Sequence, residues 1–259
     1  MKNSFVLARK DFFSYFNSWT GVFLSFFFLL VSGLFFSFLV ISFGKMSMDA
    51  AHNGFQNVQG LALTRFVFGS FYNNLSVLLI FIVPILSMRA LAEERRHDTL
   101  ELLFTYPLSD FEIVWGKLLG MVWFLEFLFV PTLLYSPILF RLGGGELDWG
   151  PVLMGFLGFW FLGTAYLTLG LFVSSVAESP VTSAVVTFGL LILFWILDWA
   201  VSVADGSLSH ILTSISPLGH YREFTAGVID IKNVAYFLFF NFFFLFLTLR
   251  AVETRHWKS

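Results

Sequence analysis

The stretch Trp149–Val176, WGPVLMGFLGFWFLGTAYLTLGLFVSSV, contains no Asp, Glu, Lys, Arg or His. A helix crossing the hydrocarbon core of a bilayer needs about 20 mostly apolar residues. This run is long enough to cross and carries nothing that resists burial in lipid. Its Gly155, Gly158, Gly163 and Gly170 allow other helices to come close, either within one chain or at a seam between two copies. Five further runs of the same kind flank it. Toward the C-terminus lie Val181–Val203, with Asp198 inside it, and the short Val234–Leu249, with seven Phe and Arg250 at its end. Toward the N-terminus lie Leu118–Phe140, with Glu126 inside it, and the uncharged Phe66–Met88 and Trp19–Phe43. The expected fold is therefore an all-α integral membrane protein with six transmembrane helices.

Composition agrees. The chain has 259 residues, of which 58% are hydrophobic and 12% charged, with 37 Phe and no Cys. A soluble domain carries about twice that share of charge. The polar surface is too small to cover a water-facing globule, and there are no cysteines for a disulfide scaffold. Disorder is excluded by the hydrophobicity. The net charge of −2 points to no acidic or basic partner. The first apolar run is too long for a cleaved signal peptide and is expected to stay in the membrane.

Lys and Arg set the orientation. With the N-terminus in the cytoplasm, that side holds ten of them: Lys2, Arg9, Lys10, Arg89, Arg95, Arg96, Lys117, Arg250, Arg255 and Lys258. The other side holds five: Lys45, Arg65, Arg141, Arg222 and Lys232. Both termini are expected to be cytoplasmic.

Two acids fall inside spans. An ionised Glu at a helix centre costs about 2.5–3.5 kcal/mol on insertion scales. The fourteen Leu, Ile, Val and Phe of the same span, at about −0.3 to −0.6 kcal/mol each, outweigh Glu126. Glu126 reads either as a pathway-lining or helix-pairing group, or as a protonated, hydrogen-bonded side chain near the inner interface. Asp198, between Trp195 and Trp199, has the same two functional readings beside that of an acid in an aromatic belt. No Lys, Arg or His joins them inside a span, which speaks against a proton-coupled transporter.

The remaining charge is concentrated. Residues 89–117 hold ten of the 32 charged side chains. Ala90–Phe104 has no Gly or Pro and reads as helical. Pro107 breaks the chain, and Ser109 with Glu112 forms an S-x-x-E capping box that starts a new helix into the third span. Leu102, Leu103 and Phe104 make an apolar tip rimmed by charge. A solvated hairpin would not need that tip, which suits a protein docking surface. At the N-terminus, Phe5, Ala8, Phe12, Phe16 and Trp19 fall near one helical face, as in a helix lying in the membrane plane or a simple lead-in turn.

No G-x-x-x-x-G-K-[ST] is present, so the chain has no P-loop to cradle ATP phosphates. The five His lie far apart and there is no Cys, so no metal site is expected. No nucleophile–base pair and no basic stretch for nucleic acid can be identified. The chain is not expected to be an enzyme.

Glu93-Glu94-Arg95-Arg96-x-x-Thr99-Leu100-Glu101-Leu102-Leu103-x-x-x-Pro107-Leu108-Ser109, followed by Gly116-Lys117, resembles the signature loop of ABC-2 type permeases, the six-helix membrane subunits of type V ABC exporters. Leu7-Ala8-Arg9-Lys10-Asp11 through Tyr15-Phe16-Asn17-Ser18 is similar to that family's N-terminal interfacial helix. Phe224–Asp230 and the ending Leu249–Trp257 resemble its gliding-motility-associated, GldF-type branch. The resemblance runs essentially end to end, with His97 and Asp98 where the family often has smaller residues.

It implies a single transmembrane domain over 1–259. Residues 1–18 would be the interfacial helix, 89–117 the coupling loop with a coupling helix at 98–105, and 204–232 a re-entrant segment on the outer face. Arg95, Arg96, Thr99, Glu101, Leu102, Leu103 and Pro107 would dock a separate ABC ATPase, which would bind ATP and Mg; this chain would hold no cofactor. A second permease copy or a related permease would complete the pathway, in a bacterial cytoplasmic membrane. An accessory protein with a large periplasmic domain would accompany the gliding branch, with residues 44–65 as its contact or a plain linker. Two rivals remain: a non-transport scaffold of an envelope complex, and a secondary transporter or channel without an ATPase.

Overall fold

The computed structural model describes residues 2–52, 60–96, 109–143, 145, 147–201 and 212–256, and no strand occurs among them. Helix α1 (Lys2–Asn17) precedes α2 (Trp19–His52) and α3 (Gly60–Ser87). A short α4 (Ala92–Arg96) follows, then α5 (Asp110–Phe129), a 3-10 segment (Val130–Leu134) and α6 (Tyr135–Leu142). The chain continues through α7 (Trp149–Val176), α8 (Pro180–Val201), α9 (Pro217–Thr225) and α10 (Ile231–His256). Among the described residues, six helical stretches are long and apolar enough to cross a membrane: Trp19–Asp49, Leu63–Glu94, Asp110–Leu142, Trp149–Val176, Pro180–Val201 and Ile231–Thr254.

Several helices outrun the expected spans. Helix α2 continues from Phe43 to His52, and α10 extends on both sides of residues 234–249. Intrahelical hydrogen bonding does not stop where lipid stops, so hydropathy alone places these ends too early. The helix of the third span starts where the capping box places it and its apolar stretch runs to Leu142. It begins at Asp110, where Ser109 caps it: Ser109 Oγ accepts from Glu112 N at 3.2 Å, and Ser109 N donates to Glu112 Oε2 at 3.3 Å. Further along it tightens into the 3-10 turn at Pro131, which lacks the N–H that an α-helix would use.

Helix α7 is the hub, packing against α3, α5, α8, α9 and α10. Its glycines face partners inside the chain. A Cβ built at Gly155 would lie 2.5 Å from the Tyr72 ring, and at Gly158 2.4 Å from Phe224 Cβ. At Gly163 it would lie 2.5 Å from Leu125 Cδ2, and at Gly170 2.4 Å from Ser87 Oγ. Neighbours therefore sit where side chains would otherwise stand. Phe129 and Phe159, ring centroids 4.0 Å apart, fill the space between α5 and α7. Helix α9 closes one end of the bundle, with Tyr221 and Phe224 fully buried. Much of the Phe excess faces outward, as at Phe38, Phe239 and Phe242.

Candidate functional site

The described ends of the charged loop, at α4 and from Ser109 onward, converge on one ion-paired junction. Lys117 sits two turns into α5, only 5% exposed. Its ammonium lies 3.2 Å from Asp11 Oδ2 of α1 and donates to Glu94 Oε1 of α4. One buried cation thus joins three elements. A buried ammonium is costly to strip of water, and the two carboxylates offset that cost only by staying in place.

Around it, Arg89 donates through Nη1 to Ser18 Oγ at 2.7 Å and through Nη2 to Thr20 Oγ1 at 2.8 Å. Arg89 therefore ties the end of α3 to the corner between α1 and α2. Tyr15 donates to the Leu86 carbonyl at 3.2 Å. Burial, with the nearby charge of Asp11 second, pushes its phenol well above the ordinary tyrosine value, so it remains a neutral donor. Ser174 Oγ of α7 accepts from both Leu91 N and Ala92 N, at 3.1 Å each. These groups surround a polar cavity of about 230 Å³ lined by Lys10, Asp11, Tyr15, Arg89, Glu94 and Lys117, among others.

Helix α1 reaches this junction because α5 is bare where they cross. A Cβ at Gly116 would lie 2.9 Å from Leu7 Cδ2 and 3.0 Å from Ser4 O. One at Gly120 would lie 2.9 Å from Asp11 Cβ and 3.1 Å from Ala8 O. This small-x-x-x-small spacing lets two helices meet nearly backbone to backbone. The apolar residues of α1 pack on the same helix: Phe5 and Phe12 against Trp123, and Phe16 against Phe124 and Phe127. The face expected to lie in the membrane plane is thus partly a packing face on α5, while Trp19 begins α2 and points outward.

Of the residues expected to dock a partner, Arg95 and Arg96 end α4, and Arg96 is exposed. Thr99, Glu101, Leu102, Leu103 and Pro107 lie outside the described residues, as does the 98–105 segment. Glu126 is half-buried on α5, with no protein hydrogen-bond partner for Oε2. Asp198 turns away from the exposed Trp195 and Trp199 and is buried. Its Oδ2 accepts from Arg222 Nη2 of α9 at 2.6 Å. From the sequence, Lys117 belonged to the signature loop but had no assigned partner, and Arg222 was only one among the outer cations. A lone Lys two turns into an otherwise apolar helix was the available signal for the first.

A family profile described as ABC-2 family transporter protein matches residues 5–252. The chain belongs to the ABC-2 transporter family. A comparison with curated proteins finds no match. As an ABC-2 protein with six helices of membrane-crossing length, it is a multi-pass membrane permease subunit of an ABC transporter, distinct from the subunit that hydrolyses ATP. Family membership implies an ABC ATPase partner and often a dimer of permeases. Within that family the junction is the part of this permease that holds the roots of the charged loop to α1, α5 and α7.

Proposed function

We propose that this permease couples ATP hydrolysis in a separate ATPase subunit to export across a bacterial cytoplasmic membrane. The junction end and both termini would face the cytoplasm. Residues 98–105 would seat on the ATPase, which holds ATP and Mg, and a second permease copy or a related chain would complete the pathway. The observation that carries this reading is the bridge from Lys117 to Asp11 and Glu94. It anchors α1 and both roots of the loop to the same point, so a push on the loop would move α1, α4 and α5 together. Excess Lys and Arg at that end support the sidedness.

Leu102→Asp tests the docking. Membrane insertion should persist while co-purification of the ATPase is lost; unchanged co-purification refutes the docking surface. Lys117→Gln tests transmission. It should leave some ATPase bound but abolish the dependence of its hydrolysis on the permease, because the loop would lose its fixed root. Reporter fusions after Gly145 and Glu178 test sidedness, and a cytoplasmic signal at Gly145 would overturn it. The gliding-motility branch rests on the resemblance of residues 224–230 and 249–257, and co-purification of a protein with a large periplasmic domain would test it.

A further inference from the structure

The buried face of α8 consists of Ser183, Thr187, Leu191 and Asp198. Spacings of four, four and seven place them on one side of a helix. Three of the four are polar, while Val181, Val185, Leu193 and Ile196 point outward. Span five therefore turns three polar side chains inward while several of its apolar ones face the surroundings.

These polar atoms lack protein partners. Ser183 Oγ, Thr187 Oγ1 and Asp198 Oδ1 are buried and make no hydrogen bond to protein, and the same holds for Ser87 Oγ, Tyr166 Oη and Tyr221 Oη. Helical Ser and Thr usually satisfy themselves on a carbonyl of the preceding turn. Thr164, Thr168 and Thr248 do so in this protein, at 2.9, 2.8 and 2.7 Å. Ser183 and Thr187 do not. All six groups lie on helices that pack on α7 or on α7 itself. Ser87 and Thr187 meet at Gly170, where a built Cβ would lie 2.4 Å from Ser87 Oγ and 3.3 Å from Thr187 Cγ2. Tyr166 is one turn of α7 further on, Asp198 stands on α8 and Tyr221 on α9, and these three helices pack on one another.

Buried hydroxyls and carboxylates that no protein group satisfies are sites for ordered water when several converge, since a buried water typically bonds to about three polar atoms. We propose that the seam where α3, α8 and α9 pack on α7 binds ordered water in two groups. One is held by Ser87, Ser183 and Thr187, the other by Tyr166, Tyr221 and Asp198, with Leu191 between them.

X-ray radiolytic labelling of the full chain in nanodiscs tests this, because bound water generates hydroxyl radicals beside the side chains it touches. After correction for intrinsic reactivity, Tyr166 and Tyr221 should label several-fold faster than Phe159 and Phe237, which are fully buried as well. Thr187→Val and Ser183→Ala should each lower the melting temperature by about 2–4 °C, as a bound water loses a partner. A dry seam gives the opposite: tyrosines as inert as the phenylalanines, and a melting temperature raised by Thr187→Val, which would remove an orphaned hydroxyl. Labelling of the unmutated chain decides if the variants fail to fold or disagree with it, and unlabelled tyrosines overturn the proposal.

Discussion

Helices α7 and α8 are neighbours and both are strongly apolar, with mean hydropathy of 1.7 and 2.2. Yet 72% of the most apolar stretch of α7 is buried, against 17% for α8. The more hydrophobic helix is the less buried one. Water would produce the reverse, because there burial follows apolar area. Lipid tails are as apolar as Leu, so shape decides which helix becomes the centre. Gly155, Gly158, Gly163 and Gly170 cut hollows into α7 that Tyr72, Phe224, Leu125 and Ser87 occupy. Gly189 of α8 has nothing within 4 Å of a built Cβ.

Substitutions at these glycines can break the contrast. Gly158→Val should have the largest effect, a loss of about 3 kcal/mol. Phe224 meets it with Cβ, which cannot swing aside without moving α9, and thermal unfolding in detergent would read the loss. Gly163→Ala should cost about 1 kcal/mol by the same measurement, because its neighbour Leu125 Cδ2 is the far end of a flexible side chain. Gly189→Ala should be neutral or raise stability by up to about 1 kcal/mol, through helix propensity alone. If Gly189→Ala instead destabilises as much as Gly158→Val, α8 is covered by something outside this chain, and its exposure belongs only to the single protomer.

The sequence displays some of this contrast and hides the rest. Uncharged runs and their lengths make six membrane helices legible, and Ser109 with Glu112 marks the start of α5 correctly because a capping box is a local interaction. The glycines of α7 are visible, but which side chain fills each hollow is not, since Tyr72 and Phe224 come from distant parts of the chain. The polar stripe of α8 went unread, since Ser183 and Thr187 carry no charge, Asp198 drew attention to its flanking tryptophans, and its partner Arg222 lies 24 residues away. The junction is harder still. Asp11, Glu94 and Lys117 each fall inside the stretches that carry the resemblance, but nothing in those stretches pairs them, and only the close crossing of α1 over Gly116 and Gly120 brings them together.

That crossing also fixes how stiff the joint is. Side-chain contacts yield by changing rotamer, so a load passed through them is partly absorbed. Where α1 crosses α5, the carbonyls of Ser4 and Ala8 stand 3.0 and 3.1 Å from built Cβ positions on the facing helix. Little side chain is left between the two backbones to take up slack. A force applied to α1 would reach α5 with low compliance, as through a welded bracket rather than a spring, and a bulkier residue at Gly120 would turn the bracket into a shim.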